Sequence, residues 1–92
     1  MIRSIRHKGL RRLFYDDDPR GLIPAHVQKL KDILAQLDAA LTVHDMNLPG
    51  LRLHPLKGQL EGFWAVVVRA NWRVVFRFED GEALEVELID YH

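Results

Sequence analysis

Apolar positions along the chain follow two different periods. Between Pro24 and Leu41, residues Val27, Leu30, Ile33, Leu34, Leu37 and Leu41 recur every three or four places, which predicts one amphipathic helix of about four turns opened by a proline. A shorter stripe, Leu10, Leu13 and Phe14, predicts a helix ending near Asp16 to Pro19, after an alternating Ile2 to His7 that reads as a short strand. Asn47, Pro49 and Gly50 interrupt the helical pattern, and Leu51 to Gly58 reads as an extended or looped piece braced by Pro55. From Phe63 onward β-branched and aromatic residues dominate, predicting strands over 63–68, 72–78 and 83–89.

Side-chain parity gives a first assignment of faces. With Ala70 and Asn71 as a two-residue hairpin loop, Phe63, Ala65 and Val67 fall with Phe78, Phe76 and Val74 on an apolar face, and Trp72 shares it. The other face then holds Trp64, Val66, Val68 and Val75 beside Arg73 and Arg77. An odd loop, Asp80-Gly81-Glu82, puts Leu84, Val86 and Leu88 on the face of Phe78, Phe76 and Val74, and sets Arg77 beside Glu85, Val75 beside Glu87 and Arg73 beside Ile89. One face must be covered by the two helices, so the predicted fold class is α+β: a small antiparallel sheet packed on two helices from the N-terminal half. The opposite face either suits a nucleic acid or protein partner, or is covered by the N-terminal segment or a second copy.

At 92 residues the chain fits a single domain over 1–92. Thirteen basic and thirteen acidic residues cancel, which excludes a uniformly basic coat, yet the charges are segregated. Residues 1–12 carry Arg3, Arg6, Lys8, Arg11 and Arg12 without an acid; residues 52–78 carry Arg52, Lys57, Arg69, Arg73 and Arg77 against Glu61 alone. Six acids and no base lie between Glu79 and Asp90, where cross-strand pairs such as Arg77 with Glu85 account for part of the excess. The absence of cysteine excludes disulfides and thiolate metal sites. With no apolar run long enough to span a bilayer and no apolar leader, a cytoplasmic protein without membrane association is expected.

The five histidines, His7, His26, His44, His54 and His92, show no metal-ligand spacing, and the scattered glycines form no phosphate loop, so neither a metal nor another cofactor is expected. His26 and His44 flank the long helix and read as surface residues. Three short segments remain: Leu53-His54-Pro55-Leu56-Lys57-Gly58, Val68-Arg69-Ala70-Asn71-Trp72-Arg73, and Asp90-Tyr91-His92. Together they supply proton carriers and fixed cations, the groups needed to cleave RNA through its own 2′-hydroxyl. One group removes the hydroxyl proton, cations hold the non-bridging oxygens, and an acid protonates the departing 5′-oxygen.

The segments L-H-P-L-K-G, E-G-F-W, V-R-A-N-W-R and D-Y-H, with the opening I-R-S-I-R-H-K-G-L and the length, resemble the HigB toxins of the RelE/ParE superfamily of type II toxin-antitoxin systems. The resemblance implies a RelE-like microbial RNase fold and a metal-independent endonuclease that cuts messenger RNA in the ribosomal decoding site. It implies silencing by a HigA-type helix-turn-helix antitoxin, through which alone operator DNA is contacted. It places His54 and His92 as proton carriers, Asp90 and Tyr91 as orienting or sharing that duty, Lys57, Arg69 and Arg73 on phosphate, and Asn71 with Trp72 at the loop or the RNA. Which histidine is base and which acid stays open. Superfamily relatives are commonly basic and many carry Ser where this chain has Ala65, so zero net charge shifts RNA attraction onto local cations. Two other readings of the same chain are a non-nucleolytic ParE-like inhibitor of DNA gyrase and a degenerate domain that only binds antitoxin.

Overall fold

In a computed structural model of the chain, residues 1–91 are described. Helix α1 spans Lys8–Asp16 and α2 spans Val27–Ala39; four antiparallel strands follow, β1 His54–Pro55, β2 Trp64–Arg69, β3 Trp72–Glu79 and β4 Glu82–Asp90, in the order β1-β2-β3-β4. The α+β class and its element order agree with the sequence pattern.

Local chemistry explains where the helices begin and end. The His7 imidazole accepts the Leu10 N–H at the start of α1, and Asp17 closes that helix in a left-handed conformation with φ 51°. Pro24 opens a single 3-10 turn that runs into α2. Along α2, Leu30, Ile33, Leu34 and Leu37 are buried, each contributing roughly 1.5–3 kcal/mol on leaving water. Leu41, the last residue of the predicted stripe, lies beyond the end of α2 and is 80% exposed. There Asp45 caps the following turn, its carboxylate accepting the N–H groups of Leu41 and Thr42 at 2.9 and 3.0 Å.

The N-terminal segment lies parallel to β4 but makes only two bridges, Ile2 with Ala83 and Ile5 with Val86. Both isoleucines are buried although they stand three apart, a spacing that a regular strand sends to opposite faces. The match is possible because β4 carries one extra residue, Glu85, with φ 54°, so that Ala83 and Val86 also face one way. The lone serine serves this irregularity: Ser4 Oγ accepts the Glu85 N–H at 2.8 Å. Asp38 on α2 accepts the Ile2 N–H at 2.8 Å and ties the same segment to the helical layer.

The hairpin between β3 and β4 corrects the expected loop. Glu79 pairs with Glu82, leaving Asp80-Gly81 as a two-residue turn with positive φ at both positions (51° and 78°), the conformation that favours Asp-Gly. The odd residue sits in the strand, as the Glu85 bulge. Beyond it the predicted pairs hold, Val75 with Glu87 and Arg73 with Ile89; before it Leu84, expected on the face of Phe76 and Val74, stands opposite Arg77, which still reaches Glu85 at 3.7 Å.

A second bulge overturns the predicted faces of β2. Arg69 pairs with Trp72 and Val67 with Arg73, so Val68 is an extra residue and every position before it changes sides. Trp64, Val66 and Val68 therefore join Val74 and Phe76 under the helices, in the main core that includes Leu10, Leu30, Leu34, Leu37 and Val86. Trp72 packs on that core as expected, with its ring edge-on to His26 at 6.0 Å. His26 is thus a buried residue, 7% exposed, and not a surface one, whereas His44 is exposed and lies 6.1 Å from the Trp64 ring.

Two outcomes test this register and its caps. Val66→Asp, which buries a carboxylate in the main core, prevents folding in urea titrations, while Val67→Asp on the other face lowers stability by at most about 1 kcal/mol. Opposite parity would reverse the two. The second concerns acid. Arg20, through its side chain and its backbone N–H, holds the Asp18 carboxyl down to about 2 from 3.8, and the backbone N–H groups of Thr42 and Leu41 pull Asp45 down in the same sense. A carboxylate with a depressed folded-state value stabilises the fold above its unfolded value, and that contribution disappears as pH falls through the folded one. Asp18→Asn consequently loses less stability than the parent protein between pH 3.8 and about 2, as read from thermal midpoints.

Candidate active site

The sheet face turned away from the helices collects the chemistry. Register carries one row across it: His54 opposite Ala65, Ala65 opposite Val75, Val75 opposite Glu87. The next row towards the β2–β3 hairpin is Val67, Arg73 and Ile89. Residues in register share a face, so His54 and Arg73 stand on one surface, two strands and two residues apart, or about 12 Å between Cα atoms. A small second core supports them: Leu56, Ala65 and Val75 are buried, with Leu60, Phe63 and Ile89 packed around. The β1–β2 connection thus covers part of a face that sequence parity left bare.

Arg73 is held by the hairpin. Its Nη1 donates to the Ala70 carbonyl at 2.5 Å and to the Trp72 carbonyl at 3.1 Å. Among the described residues, buried side-chain nitrogens without a hydrogen-bond partner are the Nε atoms of Arg73 and Arg77. Arg77 is a strand residue in a charge network: it bonds Glu79 at 2.8 Å, approaches Glu85, and lies 5.8 Å from the Phe63 ring centroid. Glu85 also pairs with Arg6, so the acids of β4 are partly neutralised by bases on both sides.

His54 Nδ1 lies 2.8 Å from the Arg52 carbonyl. A carbonyl only accepts, so Nδ1 carries the proton and donates. Nε2 is then left as the ring's lone-pair site in the neutral form.

The remaining candidates fall into two groups. At the hairpin end, Trp72 is in register with Asp90, and the Tyr91 N–H donates to the Asn71 carbonyl at 2.7 Å, so the chain end is tied to the loop that holds Asn71. Strand alternation gives Asp90 the side of Trp72 and returns Tyr91 to that of Arg73. Arg69, exposed and in register with Trp72, belongs to the same end but takes the side of Trp72 and Asp90, not that of Arg73. Lys57 follows Leu56, whose N–H still bonds the Phe63 carbonyl, and is exposed at the other end of the sheet. His92 lies outside the described residues. Arg52 was missed by sequence reasoning: its backbone, not its side chain, touches His54, and no residue-type signal marks that. Among the described residues no group of three or more His, Asp or Glu could hold a metal ion, and no helix is long and apolar enough to cross a membrane.

Comparison with known proteins agrees with this architecture. A family described as the RelE-like toxin of type II toxin-antitoxin system HigB matches residues 3–92. The chain belongs to the HigB-like toxins. This toxin is 41% identical over 92 residues to an endoribonuclease HigB of Proteus vulgaris, covering 100% of both chains. It is 33% identical over 90 residues to a toxin HigB-1 of Vibrio cholerae, covering 96% of the one and 95% of the other. Membership in the family gives the toxin an antitoxin as its partner. It also gives the four-stranded sheet its place within the RelE-like fold.

Proposed function

We propose that this toxin cuts messenger RNA on translating ribosomes in the cytoplasm and is held inactive by a HigA-type helix-turn-helix antitoxin, through which alone it meets operator DNA. The endoribonuclease activity rests on the family and on the full-length relationship to an endoribonuclease HigB. The mechanism rests on one observation: an imidazole with its Nδ1 engaged and an arginine held by two carbonyls occupy the same sheet face, His54 and Arg73.

The RNA supplies its own nucleophile. A histidine takes the 2′-hydroxyl proton, the 2′-oxygen attacks phosphorus, and the bond to the 5′-oxygen breaks as a second group protonates it; the products are a 2′,3′-cyclic phosphate and a 5′-hydroxyl. His54 and His92 are the two proton carriers. In the geometry above His54 suits the base role, since its lone pair is at Nε2. Asp90 and Tyr91 orient the chain end or share the acid's work. Arg73 stabilises charge on the non-bridging oxygens, while Arg69, at the hairpin end of the sheet, and Lys57, at its other end, take neighbouring phosphates. Asn71, with its loop tied to Tyr91, contacts a base. No metal or other cofactor enters these steps.

The gyrase-inhibitor reading has no use for this placement of imidazole and guanidinium. Brief induction followed by primer extension discriminates the readings: breaks confined to translated codons support cleavage on the ribosome, and breaks in untranslated RNA or none at all contradict it. In single-turnover assays with ribosome-bound messenger, His54→Ala and His92→Ala each lower the cleavage rate by about 10²–10⁴-fold without moving the thermal midpoint.

A further inference from the structure

The hydrogen bond to His54 comes from an irregularity in the sheet edge. A regular antiparallel ladder running from Leu56 N–H to Phe63 carbonyl, through His54 opposite Ala65, would give the Val67 N–H to the Arg52 carbonyl. Val67 instead bonds the Leu51 carbonyl at 2.7 Å. The extra residue on the β1 side is accommodated at Arg52, whose φ is 50°, a left-handed conformation that side chains other than glycine rarely adopt. Its carbonyl is thereby released from the ladder and meets His54 Nδ1 at 2.8 Å. Leu51 and Leu56 on either side are buried, in the main and second cores respectively, so the segment is pinned at both ends.

We propose that Arg52 is a positioning residue for His54: its left-handed backbone turns a carbonyl onto Nδ1, fixes the Nδ1–H tautomer, and presents the Nε2 lone pair to the RNA 2′-hydroxyl. Free imidazole prefers the opposite tautomer, so without this carbonyl most neutral His54 would carry its proton where the base must be empty. The role in catalysis rests on the reading of His54 as the base; the tautomer and its cause do not. The guanidinium is dispensable in this scheme, because only the backbone acts. An unusual φ beside a catalytic group is also a recurrent way of storing strain for function.

The test compares two variants that lose the same charge. Arg52→Gly keeps φ near 50° open, whereas Arg52→Val, being β-branched, disfavours it. Two-bond proton–nitrogen correlation spectra of the full-length toxin, recorded at alkaline pH, report the tautomer of His54. The wild type and Arg52→Gly show the Nδ1–H form, and Arg52→Val shifts towards Nε2–H. In single-turnover cleavage of ribosome-bound messenger, Arg52→Val falls at least about tenfold below Arg52→Gly in rate constant with equal half-saturation. An Nε2–H tautomer in the wild type overturns the proposal even if Arg52→Val does not fold, and so do equal tautomers or equal rate constants in the two variants. If His54→Gln cleaves at the wild-type rate, the base assignment fails while the tautomer result stands, which separates the two claims.

Discussion

The register of the sheet decides which side chains enter the helix-side core and which stand on the opposite face, and single extra residues set that register. Strand side chains alternate with a period of two, so one inserted residue exchanges the faces of everything on one side of it. Val68 does this in β2 and Glu85 in β4. The first puts Trp64 and Val66 under the helices; the second lets Ile2 and Ile5 both reach the core beside β4. A third irregularity, at Arg52, acts on the sheet edge without adding to the core. None is a defect. Two of them have a displaced backbone group engaged, the Glu85 N–H by Ser4 and the Arg52 carbonyl by the His54 ring.

From this register follows a division of labour between the two faces. The helix-side face is closed by Leu, Ile, Val and Phe, with both tryptophans edge-on to histidines. The other face has just enough apolar support, Leu56, Ala65 and Val75, to hold long polar side chains in place. A neutral protein can still engage a polyanion there, because its acids and bases are segregated. Arg6 and Arg77 satisfy Glu85, while Arg73 is held by carbonyls at the hairpin. A charge anchored by neutral dipoles keeps its attraction for phosphate, unlike one cancelled by a carboxylate.

Much of this was legible in the chain. Helical spacing located both helices, and β-branched runs located β2, β3 and β4 to within a residue or two. The need for one odd residue in the β3–β4 hairpin was also legible, because Val86 and Leu88 share the apolar face of Phe76 and Val74 only with that offset. Its location was not: Asp80-Gly81 makes a complete turn and the odd residue moves into the strand. The Val68 bulge was invisible because Val66 and Val67 are equally apolar, so neither parity was penalised in the sequence. His26 was misjudged since nothing local reveals the Trp72 ring that buries it. The candidate site was found through resemblance in the segments around His54, Arg73 and Tyr91. Composition alone had no means of joining them, and the backbone geometry at Arg52 leaves no trace in residue type.

The central claim is that RNA is cut on the sheet face opposite the helices. A structure of the toxin bound to ribosome-held messenger carrying a 2′-O-methyl group at the scissile nucleotide tests it most directly, since the blocked hydroxyl preserves the uncut strand. The account predicts the scissile phosphate over the row of Val67 and Arg73, with His54 Nε2 within about 3 Å of the 2′-oxygen. Messenger lying instead across α1 and α2, with His54 and Arg73 facing empty solvent, would contradict it.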